Sequence, residues 1–500
     1  MQPIYQAFAA DNPWSQILPE IAMVVLALAL LMYDLFLKGE RNRSGSIAII
    51  GQLLILCTLF MEGGRGEPGI HFGGLLENSP IGNFGRAFFV GCSILTSVLA
   101  CTYLKRRLLA RSEFHHITII IAAAFMLLVQ SHHFVLLFVA LETATVGFYI
   151  LVSYSRQSPL SLEAGLKYLI LGALSSTILL FGSVLIYGAV GAGTNGLDAM
   201  NFSKIGGFVS MNQGDTLLRA GFLMIMAGLL FKVGALPFQI WIPDVYQGAP
   251  TPVTAYLSVA SKSAGLLVML QLLTGPFAAF QAFVTPLLSL IAILTIFFGN
   301  MSALSQRNVK RMLGLSGVAH AGYMLLGVIA AFHAPEMATK ALFFYLVSYL
   351  LASYAVFGVM TWHAGKDDAD QDLRSYIDFG EKQPVLSFIL VVGLASLAGI
   401  PPLGGFIGKM LLFMAAYKAG LSTLLILAVV GVTISIYYYF GWMQEATFYF
   451  WKLKPEDEEK QKDLEAKYPK PLCAGFVCTL VILTVATIAV GFFQGLIPVL

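Results

Sequence analysis

Six of the ionisable side chains inside apolar stretches of this sequence are candidates for moving protons. They are Glu142 in VALETATVGFYI, Lys167 in GLKYLILGA, Lys232 in LLFKVGALPF, Lys262 in SVASKSAG, His320 in GVAHAGYM and Lys409 in GGFIGK. A charge at the centre of a spanning helix costs roughly 2.5–3.5 kcal/mol on insertion scales, and residues kept at that cost usually serve ion or proton transfer. Lys232 is followed at once by Gly234 and Pro237, where a helix weakens or kinks. A second interruption, GLASLAGIPPLGGFIGK, holds Pro401-Pro402 and Gly404-Gly405, with Lys409 just beyond. Two helix breaks, each with a lysine nearby, suit a path for protons.

Glu142 is the one carboxylate placed near the middle of a span, and an isolated carboxylate there protonates or takes a cation partner. Lysines of the neighbouring spans are the available partners. Burial favours the neutral amine of a lysine, and a nearby glutamate favours the ammonium. Moving Glu142 relative to Lys232 would therefore switch Lys232 between holding and releasing a proton. Histidine ordinarily titrates near 6.5, which suits His320 to a relay, although a lone histidine can also be a satisfied core residue. Lys167 and Lys340 lie near span ends, where snorkelling to the interface competes with a buried role. Asp244, in WIPDVY, reads equally as a structural cap or a proton-entry residue. His132 and His133 are expected to be solvated.

The elements that must position these groups follow from composition. Of 500 residues, 58% are hydrophobic and 11% charged, against about 25% charged in a soluble domain. The chain is expected to be an all-α polytopic membrane protein. About 14 apolar runs can span a bilayer, which takes roughly 20 residues each: 17–37, 46–61, 84–104, 114–130, 133–153, 163–189, 217–240, 253–273, 284–303, 312–332, 337–363, 385–417, 421–449 and 472–497. With the N-terminus outside, 20 of the 30 Lys and Arg fall in inner connections and 5 in outer ones, the bias that sets orientation. The other five, Lys167, Lys232, Lys262, Lys340 and Lys409, fall within spans. The segment before the first run has no basic region, so that run is expected to be retained. Spans seven and twelve, both interrupted, lie five apart and so run in opposite directions. An inverted repeat of five helices, spans 4–8 against 9–13, gives this pattern. The expected divisions are 1–112, 113–275, 276–450 and 451–500, the last opening with a charged, solvated stretch, 452–470. Loops 62–83 and 190–215 read as ordinary outer connections. Cys57, Cys92, Cys101, Cys473 and Cys478 form no CxxC pair, and the net charge of +3 implies no nucleic-acid partner.

Three segments carry a resemblance: LPFQIWIPDVYQGAPTPVTAYLSVASK, QRNVKRMLGLSGVAHAGYM and GIPPLGGFIGK. They closely resemble the subunit N family of proton-translocating NADH:quinone oxidoreductase, respiratory complex I, and the likeness covers nearly the whole chain. It implies 14 transmembrane helices in two inverted five-helix repeats, with helices seven and twelve broken. The family's key charges fall on Glu142, Lys232, Lys262, Lys409 and Lys167, along a hydrophilic axis that His320 would join. The implied role is proton translocation coupled to quinone reduction, as a non-redox subunit of a translocase. NAD, flavin, iron–sulfur clusters and quinone are expected on other subunits, with no cofactor in this chain. The implied partners are other membrane-arm subunits and the lipid bilayer. The implied location is a bacterial inner membrane rather than a thylakoid. A subunit of a sodium/proton antiporter complex is the alternative, since that group shares the fold. Lys262 where the related long subunits carry histidine, and the absence of a lateral C-terminal helix, favour subunit N.

Overall fold

The computed structural model describes residues 14–36, 43–61, 68–107, 109, 112–191, 197–364, 368–369, 371–377, 379–447 and 474–496. The charged stretch 452–470 lies outside them. Within hydrocarbon every backbone N–H and C=O must be satisfied inside the segment, so apolar runs of this length fold as helices. Among the described residues, eleven helices are long and apolar enough to cross a membrane, and three shorter apolar helices complete the set expected from the sequence. The first seven are α1 (Leu18–Phe36), α2 (Ser44–Phe60), α3 (Pro80–Arg107), α4 (Ser112–Leu128), α5 (Phe134–Val152), α6 (Pro159–Gly191) and the short surface helix α7 (Phe202–Met211). The interrupted seventh span is α8 (Thr216–Val233) followed by α9 (Ile242–Gly248). Then come α10 (Thr251–Thr274), α11 (Gln281–Leu304), α12 (Val309–Ala330) and α13 (Pro335–His363). The interrupted twelfth span is α14 (Pro384–Ala398) followed by α15 (Gly404–Lys418), and α16 (Ser422–Thr447) and α17 (Ala474–Phe492) close the chain.

The packing pairs repeat. In the first five-span unit α4 packs along α5 and α6 along α8; in the second α11 packs along α12 and α13 along both α14 and α15. Start residues are chosen for their caps. Asp215 accepts from the backbone N–H of Leu217 and Leu218 at the head of α8, and Asn308 from Lys310 and Arg311 at the head of α12, satisfying donors that a helix start leaves free. The two units share one continuous core running from Phe88 to Leu483. α10 and α12 lie at its centre, buried along their whole apolar length.

Several sequence expectations are corrected. The loop read as 62–83 holds a two-stranded hairpin, β1 (Gly69–His71) against β2 (Leu76–Asn78), and 190–215 holds α7. Together they cover the start of α5. His132 is therefore buried, with Glu77 Oε2 at 2.8 Å and Ser203 Oγ at 2.8 Å. His133 accepts from Val135 N as the cap of α5. Arg86, read as a loop charge, stands in α3. It makes a two-pronged pair with Glu20 of α1, 2.7 and 3.0 Å, with both residues buried. Lys310, also read as a loop charge, is completely buried at the start of α12.

Candidate functional site: a buried line of ionisable residues

Both breaks are built alike. α8 ends at Gly234 with φ 77°, and α14 ends at Gly399 with φ 85°, a left-handed turn that glycine adopts without Cβ strain. In each, two successive N–H groups return to one carbonyl. Gly234 and Ala235 donate to Leu230 O at 2.9 Å each; Gly399 and Ile400 donate to Ala395 O at 3.0 and 2.9 Å. The cis peptides Leu236-Pro237 and Pro401-Pro402 follow. The broken ends leave carbonyls, the negative pole of the helix, pointing into the protein.

The lysines use these ends differently. Lys232 lies in the last turn of α8. Its Nζ donates to Thr145 Oγ1 at 2.8 Å and to Ser176 Oγ at 3.4 Å. Ser176 in turn donates to Glu142 Oε1 at 2.6 Å, and Lys232 Nζ stands 3.7 Å from that same oxygen. Lys232 is buried while the Glu142 side chain is 25% exposed, so the pair spans from interior to surface of the α5–α6 face. Lys409 reaches back across the second break and donates to Leu397 O (2.9 Å) and Ala398 O (3.0 Å), the final carbonyls of α14.

Between them stand Lys262 and His320. A wide π turn, Leu257–Ser261, directly precedes Lys262 in α10; such a turn shifts the facing of every residue after it. Lys262 Nζ has no hydrogen-bond partner among the described residues and lies 5.6 Å from the Tyr246 ring centre. Gly317 of α12 makes room for it, since a Cβ there would sit 2.5 Å from Nζ and 3.3 Å from the Tyr349 hydroxyl. The Tyr349 and His320 rings are 5.0 Å apart. His320 is buried, its Nδ1 2.6 Å from Tyr345 Oη and its Nε2 3.0 Å from Tyr439 Oη. A neutral imidazole has one donor and one acceptor nitrogen, so one hydroxyl donates to it while the other accepts. The Tyr323 ring lies 6.1 Å from His320 and has Lys409 Nζ 5.3 Å from its centre. Two stretches result: Glu142 with Lys232 through Ser176, and Lys262, His320 and Lys409 with tyrosines filling the gaps between them.

Lys167 does not join this line. It is half-exposed and paired with Glu163 (2.7 Å) and Asp244 (2.6 Å), and Asp244 also takes Arg311 at 2.7 Å. Lys340 pairs with Glu336 at 3.1 Å near the start of α13. Sequence reasoning missed the hydroxyl partners. Thr145 was findable, since it stands three residues after Glu142 on the same helix face; Tyr345 and Tyr439 carry no local signal.

A bundle of broken, charge-bearing helices in two opposed five-helix units defines an antiporter-like membrane protein. The family model described as NADH:quinone oxidoreductase/Mrp antiporter, transmembrane, matches residues 131–435. The chain is 50% identical over 496 residues, 97% of its length and 96% of the other's, to NADH-quinone oxidoreductase subunit N 1 of Opitutus terrae. Among solved structures it resembles a chain of respiratory complex I from Thermus thermophilus with bound Aureothin. That match has TM-score 0.77 and 28% identity, covering 96% of this chain and 98% of that one. A chain of the Mrp complex from Dietzia sp. shares the fold at TM-score 0.78 and 18% identity, covering 97% and 96%. The chain belongs to the NADH-quinone oxidoreductase subunit N family.

Proposed function

We propose that this chain moves protons across a bacterial inner membrane as a non-redox, membrane-arm subunit of a proton-translocating NADH:quinone oxidoreductase. NAD, flavin, iron–sulfur and quinone chemistry would lie on neighbouring subunits. The carrying observation is the Glu142–Ser176–Lys232 contact together with the buried stretch from Lys262 through His320 to Lys409. Three lysines are buried on three helices with one carboxylate in reach of the first. Such an array is costly unless some of the amines spend time neutral or hydrated. Protonating Lys232 while Glu142 stays close, then drawing Glu142 away, pushes the proton toward Lys262 and His320. Lys409, held by the carbonyls of α14, is the last carrier. The end of the bundle bearing Lys105, Arg106 and Arg107 would face the cytoplasm. The sodium/proton antiporter alternative has the shared fold and the joint description of the family model on its side, while the 50% identical relative over 97% of the chain is an NADH-quinone oxidoreductase subunit N.

The test is Lys232→Arg in the assembled complex reconstituted into vesicles. Arginine keeps the positive charge but does not release its proton. Protons moved per NADH oxidised should fall; an unchanged ratio would remove Lys232 deprotonation from the cycle.

A further inference from the structure

The connection after α13 carries Asp368, a buried carboxylate outside the line just described. One oxygen accepts from the backbone N–H of Thr251 (2.8 Å) and the Tyr103 hydroxyl (3.0 Å). The other accepts from Thr251 Oγ1 (2.6 Å) and Gln371 Nε2 (2.9 Å). Lys310 Nζ lies 3.4 Å away and Arg107 3.5 Å. Lys310, fully buried, also donates to Ala249 O at 2.5 Å. Four parts of the fold therefore meet at one carboxylate: the end of α3, the elbow Ala249–Thr251 between α9 and α10, the first turn of α12, and the 368–377 connection. The next residue of α12, Arg311, reaches the other side of the same elbow, to Asp244 and Gln247 of α9 at 2.7 and 2.9 Å. The elbow is gripped from both sides by consecutive residues of the helix that carries Gly317 and His320.

We propose that Asp368 is a positioning residue for Lys262, clamping the head of α10 to α12 so that the Lys262 ammonium is held in the narrow space over Gly317. This rests on the reading of Lys262 as a proton carrier. α10 runs unbroken from Thr251 through the π turn to Lys262, so a roll of its head is transmitted to the amine. The amine ends over the bare backbone of Gly317, in space that even a Cβ there would take, since it would lie 2.5 Å from Nζ. Without the carboxylate, buried Lys310 loses the charge partner it has in Asp368, a loss that protein interiors resist strongly, and the elbow shifts in response. Asp368 does not itself carry protons. Burial pushes its carboxyl up, but Lys310, Arg107 and the Thr251 hydrogen bonds outweigh that and hold it at about 2, far from the working range of a proton shuttle.

The experiment compares wild type, Asp368→Asn, Asp368→Glu and Lys262→Ala in the complete complex in vesicles, reading protons moved per electron from pH 6 to 9. Asp368→Asn should lower the ratio and shift the midpoint of its pH profile, because the amine has moved. Asp368→Glu should restore both. If Asp368→Asn lowers only the amount of assembled complex and leaves the ratio and profile as in wild type, the role is merely structural and the proposal fails. If Lys262→Ala keeps the wild-type ratio, the proton-carrier reading itself fails, whatever Asp368 does. Should Asp368→Asn not assemble, the neutral pair Asp368→Asn/Lys310→Met replaces it. A wild-type ratio and profile in that pair overturns the proposal equally.

Discussion

Glu142 and Lys232 meet mainly through Ser176, whose hydroxyl donates to the carboxylate and accepts from the ammonium. Glu142→Gln keeps an oxygen for Ser176 and removes the charge, so the complex should assemble normally on a native gel while protons per electron fall. Normal pumping would take Glu142 out of the mechanism. At Gly317 an added methyl meets the far end of a flexible lysine rather than backbone. Gly317→Ala should therefore fold, at the low end of the 1–3 kcal/mol that overpacking costs, yet impair pumping by displacing Lys262; pumping equal to wild type would show that the amine tolerates displacement. Asp368 gives a stability prediction with a definite sign. Its folded carboxyl sits near 2 against an ordinary 3.8, so its contribution, about 2–3 kcal/mol, is complete above the ordinary value and lost as pH falls through 2. The thermal midpoint of wild type should exceed that of Asp368→Asn by a constant margin from pH 8 to 5, closing only in strong acid. Lys232, Lys262, His320 and Lys409 were legible because a charge inside an apolar run is conspicuous. Asp368 was not, because it sits in the acidic run KDDADQD, where nothing local separates a buried carboxylate from a solvated one.

The broken helices were the most legible elements. Gly and Pro at 234 and 237, and the Pro-Pro-Gly-Gly run, forbid a continuous hydrogen-bond ladder. The left-handed Gly234 and Gly399 ends follow from that chemistry. Not legible was how tightly the second break closes. A Cβ on Gly405 would collide with Ser396 O and lie 2.7 Å from its carbonyl carbon, both backbone atoms that cannot step aside. Gly405→Ala should therefore prevent stable assembly, whereas Gly441→Ala, where a Cβ meets nothing within 4 Å, should be neutral; immunoblots of membrane-embedded complex distinguish them. The π turn of α10 was hidden because LSVAS reads as ordinary helix. Its five-residue pattern is set by packing on all sides, with every residue buried, and local propensity has no say there.

At the scale of the molecule, the count of spans and the doubling of five-helix units could be read from hydropathy and the odd spacing of the breaks. The attachment of the first helices could not. Glu20 and Arg86 look like residues at span edges, yet they form a buried pair that ties α1 to α3, with Gln130 of the α4–α5 turn donating to Glu20 at 2.7 Å. Arg86→Met should cost about 3–5 kcal/mol by stranding the carboxylate, while Glu20→Leu/Arg86→Met should recover most of it; limited proteolysis of the α1–α2 connection reports the difference. The complete burial of α10 and α12 also bears on how the protein is made. Neither helix touches lipid in the finished molecule, and α10 carries a lysine that makes it a poor candidate for entering the bilayer alone. During synthesis α10 emerges before the helix that holds the glycine space for its amine. It must therefore linger near the insertion machinery, or ride in the company of α3 and α8, until α12 arrives. Ribosome-bound chains ending between these two helices should thus be the ones that quality-control proteases recognise first.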